Sequence, residues 1–147
     1  MIVVFDIDGT LSNPENRIHH ILGENKDWVK FLSSSGSDSV IEPIAEMFSR
    51  CESAGDLILF VTGRDEKYRE DTVEWLNSKI THIEITKDNL IMRPRGDRRH
   101  DYEIKEEWLL SLDPEDWPDL IFEDRASVVE MWRRHGIRTC QVDVGDF

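Results

Sequence analysis

Four short apolar runs recur along the chain, at residues 2–6 (IVVFD), 57–61 (LILFV), 119–122 (DLIF) and 137–142 (IRTCQV). Each is rich in β-branched or aromatic side chains and too short for a buried helix, so each is predicted to be a strand covered on both faces. Between them lie stretches with helical spacing. Residues 41–54 place Ile41, Ile44, Met47, Phe48 and Cys51 on one face, and 66–78 place Tyr68, Val73, Trp75 and Leu76 less regularly. Helices are also predicted at 101–112 and 126–135, the second stopped by Gly136 as a left-handed terminator. Strands alternating with helices of this length build parallel crossover units. The expected fold class is therefore α/β, a Rossmann-like parallel sheet sandwiched by helices.

Residues 11–40 break the alternation. They are polar, carry SSSGSDS at 33–39, and hold a short predicted helix at 26–32. A segment of this size cannot bury a core of its own, so it is expected to be a flap or minimal cap inserted after the first strand of one domain spanning residues 1–147.

With 31 Asp and Glu against 18 Lys and Arg, the chain carries a formal charge of −13. That field repels long polyanions and argues against nonspecific coating of nucleic acid; it leaves room for a local anion site, and the acid excess also serves solubility. No apolar stretch is long enough to span a bilayer, and MIVVFDID has no basic segment ahead of its apolar run. Neither secretion nor membrane insertion is expected, and the predicted location is cytoplasmic. Cys51 and Cys140 lie in apolar patterns without a CxxC or Cys/His cluster, which predicts two buried thiols and no zinc.

Three of the predicted strands end in polar groups: Asp6-Ile7-Asp8-Gly9-Thr10, Thr62-Gly63-Arg64 and Glu123-Asp124-Arg125. In open parallel sheets the ligand crevice lies outside the carboxyl ends of the strands, so these sets are expected to converge. Singly, each has a plain explanation: an Asp-Gly turn, a helix cap, a solvated helix start, and for Lys105 an ion pair along its own helix. Together, acid pair, hydroxyl, lysine and acid pair describe a phosphate site beside an oxygen cage suited to Mg²⁺.

This set resembles the haloacid dehalogenase-like phosphohydrolases. Asp6 and Asp8, supported by Thr10, match the first motif of that superfamily (DxDGT), Thr62 its second, Lys105 its third, and Glu123 and Asp124 its fourth. Residues 123–137 (EDRASVVEMWRRHGI), the terminal Gly145-Asp146-Phe147 and the position of Arg17 are similar to the 3′-phosphatase domain of phage polynucleotide kinase-phosphatase. The resemblance implies that Asp6 attacks phosphorus to form an aspartyl-phosphate, and that Asp8 protonates the leaving oxygen and then activates water. It also implies Mg²⁺ on Asp6, Asp124 and the Asp8 carbonyl, and phosphoryl oxygens bound by Thr62, Gly63 and Lys105, with Lys105 also holding Asp6. Beside a second carboxylate and a metal, Asp8 is expected to keep its proton more readily than a free acid.

The implied substrate is a 3′-phosphate at a nucleic acid end, as in nucleic acid repair. Phosphatases of free nucleotides or small esters stand as the alternative, and a non-catalytic phosphate-binding module as a third reading, against which Asp8 speaks because receiver-like modules lack this second acid. No GxxxxGK[ST] occurs, so only the phosphatase reaction is expected of the chain. Arg17, Arg64, Arg93 and Arg95 are candidate substrate contacts. Residues 93–105 hold five basic and three acidic side chains, and either meet the next phosphate of an oligonucleotide or form a solvated loop with internal Arg–Asp pairs. In the flap, His19, His20, Trp28 and Phe31 either stack on a base or pack a small helix, and packing is the expectation for Trp28 and Phe31.

Overall fold

The computed structural model of the protein describes residues 1–145. Among the described residues, seven strands and five α-helices follow one another as β1 (Ile2–Phe5), β2 (Ser12–Asn13), α1 (Trp28–Ser33), β3 (Ser39–Val40), α2 (Glu42–Ser53), β4 (Leu57–Asp65), α3 (Arg69–Lys79), β5 (Leu90–Arg93), α4 (Asp101–Leu110), β6 (Leu120–Arg125), α5 (Ala126–Arg134) and β7 (Arg138–Gly145). The main sheet has the order β5-β4-β1-β6-β7, and all its pairings are parallel. β1 is central, so the chain diverges to either side of it and a crevice opens at its carboxyl end.

Alternation along β1 explains the two-sided core. Val3 and Phe5 point to the layer containing Phe48 of α2 and Trp75 and Leu76 of α3, whereas Val4 joins Leu109 of α4 and Val128, Met131 and Trp132 of α5. Burying each Val, Leu or Phe of this kind contributes about 1.5–3 kcal/mol. α5 ends as expected, with Gly136 at φ +80 and Arg133 and Arg134 in its last turn, where cations complement the helix dipole. Among the described residues no helix is long and apolar enough to cross a membrane.

Several expectations need correction. β4 and β6 run on to Asp65 and Arg125, past their apolar stretches, because β5 and β7 keep pairing with them across register shifts at Val61/Asp65 and Glu123/Arg125. The polar motifs thus sit on irregular strand ends. β5 has no counterpart in the sequence reading; its four residues are too few to show a period. Cys51 is buried, but Cys140 is exposed because β7 is an edge strand. Met47 is 39% exposed, at the margin of the α2 face. The flap holds α1, capped by the Asp27 carboxylate on the Lys30 amide, and an antiparallel β2–β3 pair that closes it. Phe31 is buried, whereas Trp28 is 41% exposed.

Candidate active site

The carboxyl end of β1 is tied to β6 by the Asp6 amide, which donates to the Phe122 carbonyl at 3.0 Å. The Asp6 carboxylate meets a lysine that reaches in from α4: Lys105 Nζ donates to Asp6 Oδ1 at 2.7 Å and to Glu123 Oε2 at 2.8 Å, and lies 3.4 Å from Asp101 Oδ2. The lysine is 1% exposed. Glu123 is further anchored, because its Oε1 accepts from the amides of Asp124 at 3.2 Å and Arg125 at 3.1 Å. Burial, then the neighbouring Glu123 charge, pushes the Asp6 carboxyl up to about 8. Burial also pushes Glu123 up to about 7. It opposes the charge on Lys105 too, yet Asp101, Asp6 and Glu123 hold that ammonium well above its ordinary value.

Asp124, on β6, is different. It is 2% exposed, yet among the described residues no ammonium, guanidinium, hydroxyl or amide donates a hydrogen bond to its carboxylate. Burial and then Asp6 push it up to about 7. Oxygens of Asp6, Glu123 and Asp124 all lie within 4.8 Å of one another. Buried carboxylates with too few counter-charges fit a hard divalent cation. Backbone crowds around the same group. A Cβ at Gly9, which has φ +86, would fall 2.3 Å from Asp124 Oδ2, and one at Gly145 would fall 2.0 Å from it. Only glycine permits that approach. Beside Asp124 opens a cavity of about 440 Å³ bounded by Gly9, Asn13, Ile18, Ile41 and Gly145.

Asp8 is held in a clamp. Arg64 donates Nε to Asp8 Oδ2 at 2.9 Å and Nη2 to Oδ1 at 2.7 Å, while Arg17 Nη2 donates to the same Oδ1. Arg17 is itself fixed by Asp38, through Nε to Oδ1 at 2.8 Å, and by the Phe31 carbonyl at 3.0 Å. The Asp38 carbonyl accepts from Trp75 Nε1 at 3.0 Å, so the flap is locked to α3. Burial favours a protonated Asp8, but Arg64 and Arg17 override it and hold the carboxyl well below the usual range. This corrects the expectation that Asp8 keeps its proton: the two guanidinium groups outweigh the effect of burial.

Arg17 and Arg64, candidate substrate contacts, are buried at 2% and 0% with their guanidinium groups on Asp8 and its neighbours. Arg93 supports the loop beneath Gly63, donating to the carbonyls of Gly63 at 2.8 Å and Arg99 at 2.6 Å. Arg95 is exposed. Thr62 is buried and its Oγ1 accepts from the Arg64 amide at 3.2 Å; a Cβ on Gly63 would meet Asp101 Oδ1 at 2.3 Å. The Thr10 hydroxyl is buried without a partner among the described residues. Asp146 and Phe147 of the terminal motif lie outside the described residues.

Sequence reasoning missed Asp38 and Asp101. Asp101 stands four residues before Lys105, a spacing that signals a partner on the same helix face. Asp38 is hidden in a serine-rich loop and had no such signal.

The whole chain, residues 1–147, matches the family described as the polynucleotide kinase PNKP phosphatase domain. It is similar to a chain in a structure of the Pnkp1/Rnl/Hen1 RNA repair complex, with 30% identity and a TM-score of 0.80 over 99% of this chain. A second structure of that complex gives 30% identity and a TM-score of 0.79. The match spans 43% and 46% of those chains, less than half of each. A class C acid phosphatase from Bacillus anthracis with tungstate bound shares the fold at 14% identity and a TM-score of 0.60, over 84% of this chain and 51% of its own.

Proposed function

The chain belongs to the family of polynucleotide kinase PNKP phosphatase domains, and is thereby a phosphatase of the haloacid dehalogenase-like type; from that premise we propose that it removes 3′-phosphates from nucleic acid ends by a Mg²⁺-dependent route through an aspartyl-phosphate on Asp6. The observation that carries the reading is the shared ammonium of Lys105, which fixes Asp6 at the end of β1 against Glu123 at the end of β6.

In the first half, a carboxylate oxygen of Asp6 forms a bond to phosphorus while the ester P–O bond breaks, and the departing oxygen takes a proton from Asp8. In the second, water attacks phosphorus, its proton passes to Asp8, and the bond to Asp6 breaks to release phosphate. The Arg17–Arg64 clamp holds Asp8 ionised in the free protein, which is the base form needed for the second half. For the first half, Asp8 must therefore first take up a proton, from solvent or from the bound phosphate monoester, and pass it to the departing oxygen. Lys105, the Thr62 hydroxyl and the Gly63 amide would bind the phosphoryl oxygens as charge shifts onto them. Asp6, Asp124 and the Asp8 carbonyl would hold Mg²⁺, which when bound offsets repulsion between nucleophile and phosphate. Glu123 belongs to the same acidic cluster, but is the less favoured ligand because Lys105 and two amides already hydrogen-bond to its oxygens.

The relatives in the RNA repair complex support a nucleic acid end as substrate. A second reading, hydrolysis of free nucleotides or small phosphate esters, draws on Arg17, Arg64 and Arg93 being bound to the protein's own oxygens. Phosphate release from a 3′-phosphorylated oligonucleotide, its 5′-phosphorylated isomer and mononucleotides, with and without Mg²⁺, separates the two. The first reading requires the 3′-phosphorylated oligonucleotide to be the preferred substrate, and equal or faster turnover of mononucleotides favours the second.

A further inference from the structure

The flap carries one large aromatic side chain that the fold does not use. Of the α1 pair, Phe31 is buried and does the packing, while the Trp28 ring stands edge-on to it at 5.7 Å and remains 41% exposed. Lys26 Nζ lies 5.7 Å from the Trp28 ring centre, and Lys30 is exposed on the same short helix. Lys26 thus stands over an open indole, while Lys30 pairs with Asp27 at 3.7 Å.

Trp28 is also close to the chemistry, by two separate connections. Phe31 lies under the Arg17 guanidinium, 4.0 Å from its ring centre, and Arg17 grips Asp8. Independently, the Asp27 amide donates to the His20 carbonyl at 2.7 Å, which fastens the start of α1 to the turn whose Ile18 lines the cavity beside Asp124. The indole is thus linked to Asp8 through Phe31 and Arg17 and stands on the flap beside the site. Aromatic rings flanked by cations bind single-stranded nucleic acid by stacking on bases, each stacked base contributing about 1–3 kcal/mol.

We infer that Trp28, with Lys26, is a stacking platform for a base near the end of a single-stranded nucleic acid whose terminal phosphate occupies the Asp6 site. This rests on the nucleic acid reading above and extends it by assigning the neighbouring nucleotide a place on the flap. Stacking tolerates any base, so the platform selects polymer over monomer rather than one sequence over another. A protein occupant of the same surface is the competing outcome.

The test uses the full chain. Binding is read by anisotropy of a labelled oligonucleotide, with and without a 3′-phosphate, on Asp6→Asn protein to prevent turnover. Turnover is read as the ratio of kcat/KM for the 3′-phosphorylated oligonucleotide to that for a 3′-mononucleotide. Trp28→Ala is expected to weaken oligonucleotide binding by about fivefold or more and to lower the kcat/KM ratio, and Trp28→Phe to recover most of both. The inference is overturned if Trp28→Ala changes neither, or lowers kcat/KM for both substrates alike, as loss of a prop for Arg17 would. It is equally overturned if the variant alters only self-association in sedimentation, the result for a protein-docking patch. Should wild-type protein release no phosphate from oligonucleotides, the 3′-phosphatase reading fails. The anisotropy arm then still decides the platform through the 3′-hydroxyl oligonucleotide, whose binding either depends on Trp28 or does not.

Discussion

Lys105 Nζ bridges Asp6 and Glu123 at 2.7 and 2.8 Å, so one nearly inaccessible ammonium joins the ends of the central strand and its neighbour. Removing it leaves buried Asp6 and Glu123 without their cation, while Asp101 keeps Arg93 and Arg125. Lys105→Met is expected to lower kcat by about 100-fold or more, since a preorganised charge is lost at the phosphoryl group. It also breaks a buried pair, a change that destabilises by about 3–5 kcal/mol. Steady-state kinetics and urea unfolding measure the two effects, and a lower kcat with unaltered urea midpoint would show that the lysine carries no structural load.

The clamp on Asp8 makes Arg17 and Arg64 positioning residues. Arg17→Ala and Arg64→Ala are each expected to reduce kcat more than they raise KM, within the roughly 100- to 10,000-fold range of general acid–base catalysis. Asp38→Ala should fall in the same direction by a smaller factor, with a lower Tm, because it leaves Arg17 buried with one partner fewer. An effect confined to KM would instead assign these arginines to substrate binding.

Gly9 and Gly145 close around the Asp124 carboxylate, and neither leaves space for a methyl group. Gly145→Ala should displace that carboxylate and raise the Mg²⁺ concentration needed for half-maximal activity by about tenfold, the scale at which disturbed surroundings weaken a metal site. A Mg²⁺ titration of activity checks this, and saturating Mg²⁺ should restore most of kcat.

The acids of the site give metal-free protein a pH signature. Asp6, Glu123 and Asp124 stand at about 8, 7 and 7, against ordinary values of 3.8, 4.5 and 3.8. The folded state therefore binds more protons than the unfolded state between those limits. Stability from these groups is fully present below pH about 4 and is lost as pH rises toward 8. In chelator, Tm should fall from pH 5 to pH 8. With saturating Mg²⁺, which binds the folded state with these groups ionised, the fall should largely vanish. A Tm in chelator that holds level or climbs over this interval would contradict the charge balance described for Asp6, Glu123 and Asp124.

How much of this was legible in the sequence follows from periodicity. The strands β1, β4, β6 and β7 and the helices α2 to α5 announce themselves by continuous apolar runs or an apolar face, and the sheet order then carries Asp6, Thr62 and Glu123 to the same edge. Lys105 comes from a helix, and its inward direction was implied by resemblance rather than by pattern. Extension of β4 and β6 beyond their apolar cores was not legible, because it depends on pairing with β5 and β7 across shifted registers. The sign of the Asp8 shift was missed for a related reason: Arg17 lies 9 residues away and Arg64 lies 56 away, and no local spacing reports that both turn onto one carboxylate. Trp28 and Phe31 share a short helix and similar chemistry, and only the packed structure separates the buried ring from the open one.

The central claim is that Asp6 takes the phosphoryl group. The direct measurement is rapid acid quench of enzyme turning over a phosphate-labelled substrate, followed by mass spectrometry of the N-terminal peptide. The account predicts a transient phosphoryl group on Asp6 in wild-type protein, and neither that adduct nor turnover in Asp6→Asn. Near-wild-type phosphate release by Asp6→Asn, with no adduct in either protein, would contradict it.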